Sequence, residues 1–232
     1  MANNVINYGE DQVQVRQNAF ITNVYGLMTG ALAITGFISW YVSSNVDVIA
    51  SLVPYFKILL LVELGVVLGM TFLIDKVSVN IARLLFVVYA ALNGLTFGVI
   101  ISIFTGESVA STFLVTAGTF GAMSLYGYTT KRDLTSIGRI LYMALFGLII
   151  ATVVNLFLPG NNTIFYWIST YAGVLIFVGL IAYDTQKLKA LATAVDNNEE
   201  AEHKASIYGA LTLYLDFINL FLFLLRIFGR RR

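Results

Sequence analysis

Four ionisable side chains stand where such groups are costly. Asp184 ends the apolar stretch 163–183 in "AYDTQKLKALAT", and Asp216 lies in "LTLYLDFINLFLFLLRIFG" among apolar neighbours. Glu63 and Arg226 sit in two further apolar runs. A charge in hydrocarbon is expensive, so each is a candidate functional group. Asp216 falls about one and a half turns into its run, which puts it near the depth of Asp184. Two carboxylates at one depth can share a site, where both cannot ionise easily, so a proton, a basic side chain or a cation must compensate. Such a pair suits a sensor of pH or of a hard cation such as calcium, which takes oxygen ligands. Glu63, about two turns into its run, and Arg226, near the end of its own, fall in the outer half of the membrane and are expected to pair across a passage.

Plainer readings compete. Asp184 could cap a new helix by accepting backbone N–H bonds. Asp216 could be satisfied by Tyr214 or Asn219. Arg226 could snorkel toward the interface together with the arginines at 230–232.

The elements that must position these groups follow from composition. The chain has 232 residues, of which 58% are hydrophobic and 12% charged, with a mean hydropathy of +0.82. Soluble domains are nearer half apolar and a quarter charged, so this is an integral membrane protein. A net charge of +1 gives no basic character for nucleic acid. The absence of cysteine excludes disulfides, thiolate chemistry and Cys-held metals. The single histidine, His203, allows no histidine metal cluster.

A bilayer-spanning helix takes about 20 apolar residues. By that ruler seven spans are expected, at about 20–42, 56–74, 81–104, 109–128, 137–158, 163–183 and 211–228. A β-barrel would need alternating segments, and these runs are apolar all round. The expected organisation is a polar N-terminal tail at 1–19, read as a tail and not a signal peptide, one transmembrane helical domain at 20–229, and a basic end at 230–232. The segment "PGNN" punctuates the end of the fifth span, and "VDNNEEAEHK" reads as a solvated loop with helical flanks. Glycines four apart, Gly26 and Gly30, Gly65 and Gly69, Gly94 and Gly98, read as close-packing positions within the bundle or as a dimerisation face.

Basic residues set the expected orientation. Arg16, Lys76, Arg83, Lys131, Arg132, Arg139, Lys187, Lys189 and Lys204 fall on one set of links or its edges, against only Lys57 at the edge of the opposite set, which places the N-terminus in the cytoplasm. The arginines at 230–232 disagree. Seven full spans would export them, unless the seventh span dips in and returns.

"GLIAYDTQKLK" followed by "GALTLYLDFINLFLFLLRIFG" resembles the Bax inhibitor-1 family, the transmembrane Bax-inhibitor-motif proteins, and "TFGAMSLYGYTTKRDL" is similar to its bacterial inner-membrane members. The resemblance implies an all-α membrane protein with six helices around a central seventh. It implies a pH-sensitive calcium leak in which Asp184 and Asp216 form the sensor and can meet the ion, and in which Glu63 and Arg226 line the passage. Some members latch the aspartate pair with an arginine at the end of the second helix; in "FLIDKVSVNIAR" the nearest basic residues are Lys76 and Arg83. No cofactor is implied beyond a calcium ion, and no enzymatic activity.

Two other functions compete with the leak. An intramembrane aspartyl protease would also use two aspartates, but its second one stands in a glycine-flanked context, whereas here it follows "LYL". A non-conducting modulator of a membrane-anchored ATP-dependent protease, a partner known for some bacterial members, would use the polar N-terminal tail as its handle.

Overall fold

The computed structural model describes residues 7–157, 163–194 and 199–232. "PGNN" and the 195–198 part of the polar link lie outside the described residues. Among the described residues eight α-helices follow in chain order: α1 Asn7–Ser43, α2 Val46–Leu52, α3 Phe56–Leu73, α4 Val79–Ile101, α5 Gly106–Thr129, α6 Thr135–Phe157, α7 Thr163–Ala194 and α8 Glu199–Phe228. No strand is present among the described residues.

Among the described residues, seven segments are long and apolar enough to cross a membrane: Gln14–Ser43, Val46–Lys76, Val79–Ile101, Gly106–Thr129, Thr135–Asn155, Thr163–Thr193 and Glu199–Phe228. They coincide with the seven expected spans, with three differences of extent. α1 begins at Asn7, inside the segment read from composition as a polar tail. The second span gains α2, separated from α3 by a 3-10 turn at Val53–Tyr55 where Pro54 ends the first helix. α7 and α8 run well past their apolar cores, so the link between the sixth and seventh spans is mostly helix.

Three helix starts have a local cause. Ser78 caps α4 by accepting from the Ile81 N–H at 3.4 Å. Thr105 caps α5 by accepting from the Ser108 N–H at 3.4 Å. Before α6, Asp133 Oδ1 accepts the Thr135 N–H at 2.8 Å. The side-chain and backbone hydrogen bonds from Thr135 hold this exposed carboxyl below its usual range.

Within the helices, hydroxyls turn back on their own backbone. Thr71, Thr112, Thr116, Thr152, Thr170 and Thr212 each donate to the carbonyl four residues earlier. Hydrocarbon offers no partner for a hydroxyl, so each is satisfied inside its own helix. Large apolar side chains point outward, among them Phe72, Leu84, Leu114, Phe146, Ile150 and Leu175. That exposure suits contact with lipid. α6 is the least enclosed span, with 6% of its apolar window buried, and α8 the most, with 56%.

The chain forms two compact units: Met1–Ile103 with Leu188–Tyr214, and Phe104–Lys187 with Leu215–Arg232. The first holds α1 to α4, the end of α7 and the first half of α8. Here α1 packs along α4, whose glycines admit it. A Cβ on Gly94 would meet Ile38 Cβ at 2.7 Å, and one on Gly98 would meet Val42 Cβ at 2.4 Å. The close approach lets Thr35 donate to Ala90 O at 2.9 Å and Ser39 to Gly94 O at 3.1 Å. The start of α8 is tied to the turn after α3, where Lys204 Nζ donates to Asp75 O at 3.2 Å and pairs with Glu200 at 2.9 Å. Gly26, Gly30, Gly65 and Gly69 have nothing within 4 Å of an added Cβ.

The second unit holds α5, α6, most of α7 and the second half of α8. Phe113 and Phe120 of α5 pack edge-on against Phe217 of α8, with centroids 5.6 and 5.5 Å apart. Phe177 of α7 stacks on Phe223 of α8 at 5.9 Å, and Gly173 leaves room for that ring. α8 is one continuous helix that does not turn back. Its end is bonded to the segment before α5 through Thr105 N–H to Arg230 O at 2.8 Å. The basic end therefore lies on the same face as the link after α4.

The glycines separate into two classes that substitution distinguishes. Gly127→Ala would drive its Cβ to 2.1 Å from Ala182 O and is expected to lower stability by roughly 1–3 kcal/mol or more, as overpacking does. Gly26→Ala and Gly30→Ala meet open space and are expected to hold or raise stability by up to about 1 kcal/mol. Thermal unfolding of the purified protein in detergent gives the comparison, and equal losses at Gly127 and Gly26 would contradict the packing described.

Candidate functional site

Five consecutive residues of α7, Ala182 to Gln186, build the site. Ala182 meets α5 where Gly127 has no side chain, so the two backbones touch. Tyr183 lies over Gly138 of α6, whose added Cβ would enter its ring at 2.3 Å. Tyr183 also meets Tyr142 edge-on at 6.0 Å. Thr185 donates to Ser124 Oγ of α5 at 3.5 Å. Gln186 holds the connection between α5 and α6 with both ends of its amide: Oε1 accepts the Leu134 N–H and Nε2 donates to Arg132 O, each at 2.8 Å.

Asp184 stands at the centre of this stretch and is 1% exposed. Tyr142 Oη of α6 lies 3.0 Å from both of its oxygens, so the phenol donates to the carboxyl symmetrically. On the other side stands Asp216 of α8, 4% exposed, and the two carboxyl groups are close enough to act on each other. Asp216 Oδ2 has no partner. Lys187 follows three residues on in the same helix.

Two buried carboxyl groups so placed cannot both ionise easily, and a proton shared between them would relieve the pair. The structure thus brings Asp184 and Asp216 together. It also removes the plain readings. α7 runs unbroken to Ala194, so Asp184 starts no helix. The Tyr214 hydroxyl bonds Thr35 Oγ1 at 2.7 Å; the Thr35 proton goes to Ala90 O, so Tyr214 is the donor there. Asn219 Nδ2 donates to Leu215 O at 2.8 Å. Neither proposed partner of Asp216 is spent on it.

The other candidate residues lie elsewhere. Glu63, 8% exposed on α3, accepts from the hydroxyl of Thr96 on α4. Around it the first unit buries Asn93 and Tyr89, and Tyr89 meets Tyr214 edge-on at 6.0 Å. Arg226 rests over the rings of Phe223 and Tyr166, at 5.0 and 5.6 Å. Glu63 and Arg226 belong to different units. Lys76, in the 3-10 turn after α3, and Arg83, in the first turns of α4, are exposed residues of the first unit. Among the described residues no group of three or more His, Cys, Asp or Glu gathers to hold a metal. The oxygen-only donor set of the aspartate pair suits a hard cation, but calcium takes six to eight oxygens, so the pair suits a passing ion better than a resident one.

Tyr142 and Gln186 were not singled out from the sequence. Tyr142 stands in "IGRILYMALFG", where a tyrosine looks like any other interfacial aromatic. The pairing of Gly138 with Tyr142, four residues apart on one face of α6, was the available signal.

Comparison with known proteins agrees with this architecture. Residues 17–232 match the family model described as "Inhibitor of apoptosis-promoting Bax1". The chain is 49% identical over 217 residues to the inner membrane protein YbhL of Escherichia coli K12, covering 92% of each chain. It is 42% identical to RP147 of Rickettsia prowazekii, covering 92% of this chain and 90% of that one. It is 35% identical to the membrane protein SpyM3_0260 of Streptococcus pyogenes, covering 94% and 96%. With the family model covering nearly the whole chain and seven membrane-length helices in the fold, this is a multi-pass membrane protein that belongs to the Bax inhibitor-1 family.

Proposed function

We propose that the protein is a pH-sensitive, calcium-permeable leak of the bacterial inner membrane, with Asp184 and Asp216 as its sensor. The observation that carries this reading is the buried carboxyl pair with one oxygen left unpartnered. When one proton is shared, the pair ties α7 to α8. When it is lost, two like charges face each other in a low-dielectric site. The strain is relieved by separating the helices or by admitting a cation to the oxygens. A proton can shift the balance between the two arrangements only by its difference in affinity for them. One pKa unit of difference is worth about 1.4 kcal/mol, or tenfold in population. The response is therefore graded.

Tyr142 is the partner supplied within the same unit, and it supports Asp184 in the role that Lys76 or Arg83 would take as a latch. The enclosure of α8 supports its reading as the central helix. Against peptide hydrolysis stand the side chains around Asp216: Leu213 and Tyr214 are fully buried and Phe217 nearly so, which leaves no open face for a substrate backbone.

Calcium flux into liposomes carrying the purified protein, followed from about pH 6 to about pH 8, tests the sensor. Asp184→Asn and Asp216→Asn are expected to flatten the profile, because asparagine fills the space and cannot ionise. Tyr142→Phe is expected to displace the midpoint while keeping the slope, since both titrating groups remain. Parent-like profiles in both asparagine variants would refute the sensor.

We also place the N-terminus in the cytoplasm, on the basic bias of the links. The chain has no cysteine of its own, so single cysteines report cleanly. An impermeant maleimide added to intact cells is expected to label Glu107→Cys, before the second turn of α5, and to miss Ser136→Cys, at the start of α6. The opposite pattern reverses the orientation.

A further inference from the structure

Four arginines crowd the end of α8, at 226 and 230–232. Their backbone is fixed. Thr105 N–H donates to Arg230 O at 2.8 Å, Ser108 Oγ donates to the same carbonyl at 3.5 Å, and Phe104 and Arg231 form an isolated antiparallel bridge. Gly229 makes the junction, with no room for a Cβ against Leu225 O and the Phe104 ring. The side chains at 226 and 230–232 are nonetheless exposed. Glu107, in the first turn of α5, is the acidic residue on the element that holds this end. One carboxylate does not balance four guanidinium groups.

The aromatic surroundings set the depth of this cluster. Arg226 lies over Tyr166 and Phe223. Next to Tyr166, Trp167 stacks on Tyr171 at 5.8 Å, and both are exposed at the start of α7. Exposed Trp and Tyr mark the level of lipid headgroups. Ile164 and Ile168, 73% and 63% exposed beside them, suit acyl chains. The rings lie beneath the guanidinium carbon, and the exposed side chain keeps its N–H donors at the surface. A planar fork of N–H groups matches phosphate oxygens two at a time.

We propose that the strapped end of α8, where Arg226 lies over Tyr166 of α7 and the arginines at 230–232 follow, binds the phosphate of an anionic phospholipid headgroup. A zwitterionic lipid carries its own cation into the cluster and is disfavoured. The inference is independent of the aspartate sensor and assigns Arg226 to lipid instead of to Glu63. It also accounts for basic residues on the face where the charge rule disfavours them, because the phosphates neutralise them there.

The full chain carries two tryptophans, so Trp40→Phe leaves Trp167 as the reporter. The protein is placed in phosphatidylcholine vesicles in which about a fifth of the lipid is brominated, either as phosphatidylglycerol or as phosphatidylcholine. Attraction of the basic residues to anionic headgroups predicts that the brominated phosphatidylglycerol quenches Trp167 at least about twofold more strongly at equal mole fraction. Changing Arg226, Arg230, Arg231 and Arg232 to Gln is expected to remove the excess, while unchanged quenching by brominated phosphatidylcholine shows that the variant is still inserted. Equal quenching by the two lipids in the parent overturns the proposal without reference to any variant, as does an excess that survives in an inserted glutamine variant. Loss of the parent's excess on adding inorganic phosphate at matched ionic strength would show that the cluster takes a soluble anion, and would overturn the lipid assignment.

Discussion

The contact between the Ala182 carbonyl and Gly127 fixes the rest of the second unit. It brings the backbones of α7 and α5 together with no side chain between them. Once that distance is set, the next residues of α7 have their neighbours chosen for them. Tyr183 must lie on the other glycine, Gly138, and Asp184 must face between α6 and α8. Lipid supplies no hydrophobic pressure to hold helices together, so the association rests on close packing and on hydrogen bonds across the contact. Here both occur within five residues.

The first unit solves the same problem with different groups. Gly94 and Gly98 admit α1, and the hydroxyls of Thr35 and Ser39 reach the carbonyls of Ala90 and Gly94. Two small residues four apart thus face two hydroxyl residues four apart, each pair lying along one face of its helix. Tyr214 adds its own proton to Thr35 and sits under the edges of Phe86 and Tyr89. Burying that phenol is tolerable because its one donor is used.

Hydropathy made the spans legible, since a bilayer imposes a length that a run of apolar residues must meet. It could not show where α7 and α8 end. The extensions are polar helices, and a stretch such as "EEAEHKAS" reads equally well as loop until its ion pairs and backbone ties are seen. The aspartate pair was legible because charge in an apolar run is conspicuous and depth can be counted. Its companions were not. Tyr142 and Gln186 are common residue types at membrane ends, and their roles depend on which helices are neighbours. Of the three glycine pairs, one packs against another helix within 4 Å and two do not, a distinction that spacing alone cannot make.

The stretch from Ala182 to Gln186 has one more consequence. Successive residues of an α-helix are turned by about 100°, so five in a row sweep more than a full circle. Their contacts therefore surround α7 on every side: a backbone, a ring and a glycine, two hydroxyl groups, a carboxyl and an amide. A shaft keyed on all sides cannot spin about its own axis or slide by a residue without breaking several contacts at once. The one cheap displacement left to this turn is a tilt that opens a single side while the others act as its pivot. The side with an unfilled oxygen is the one toward α8.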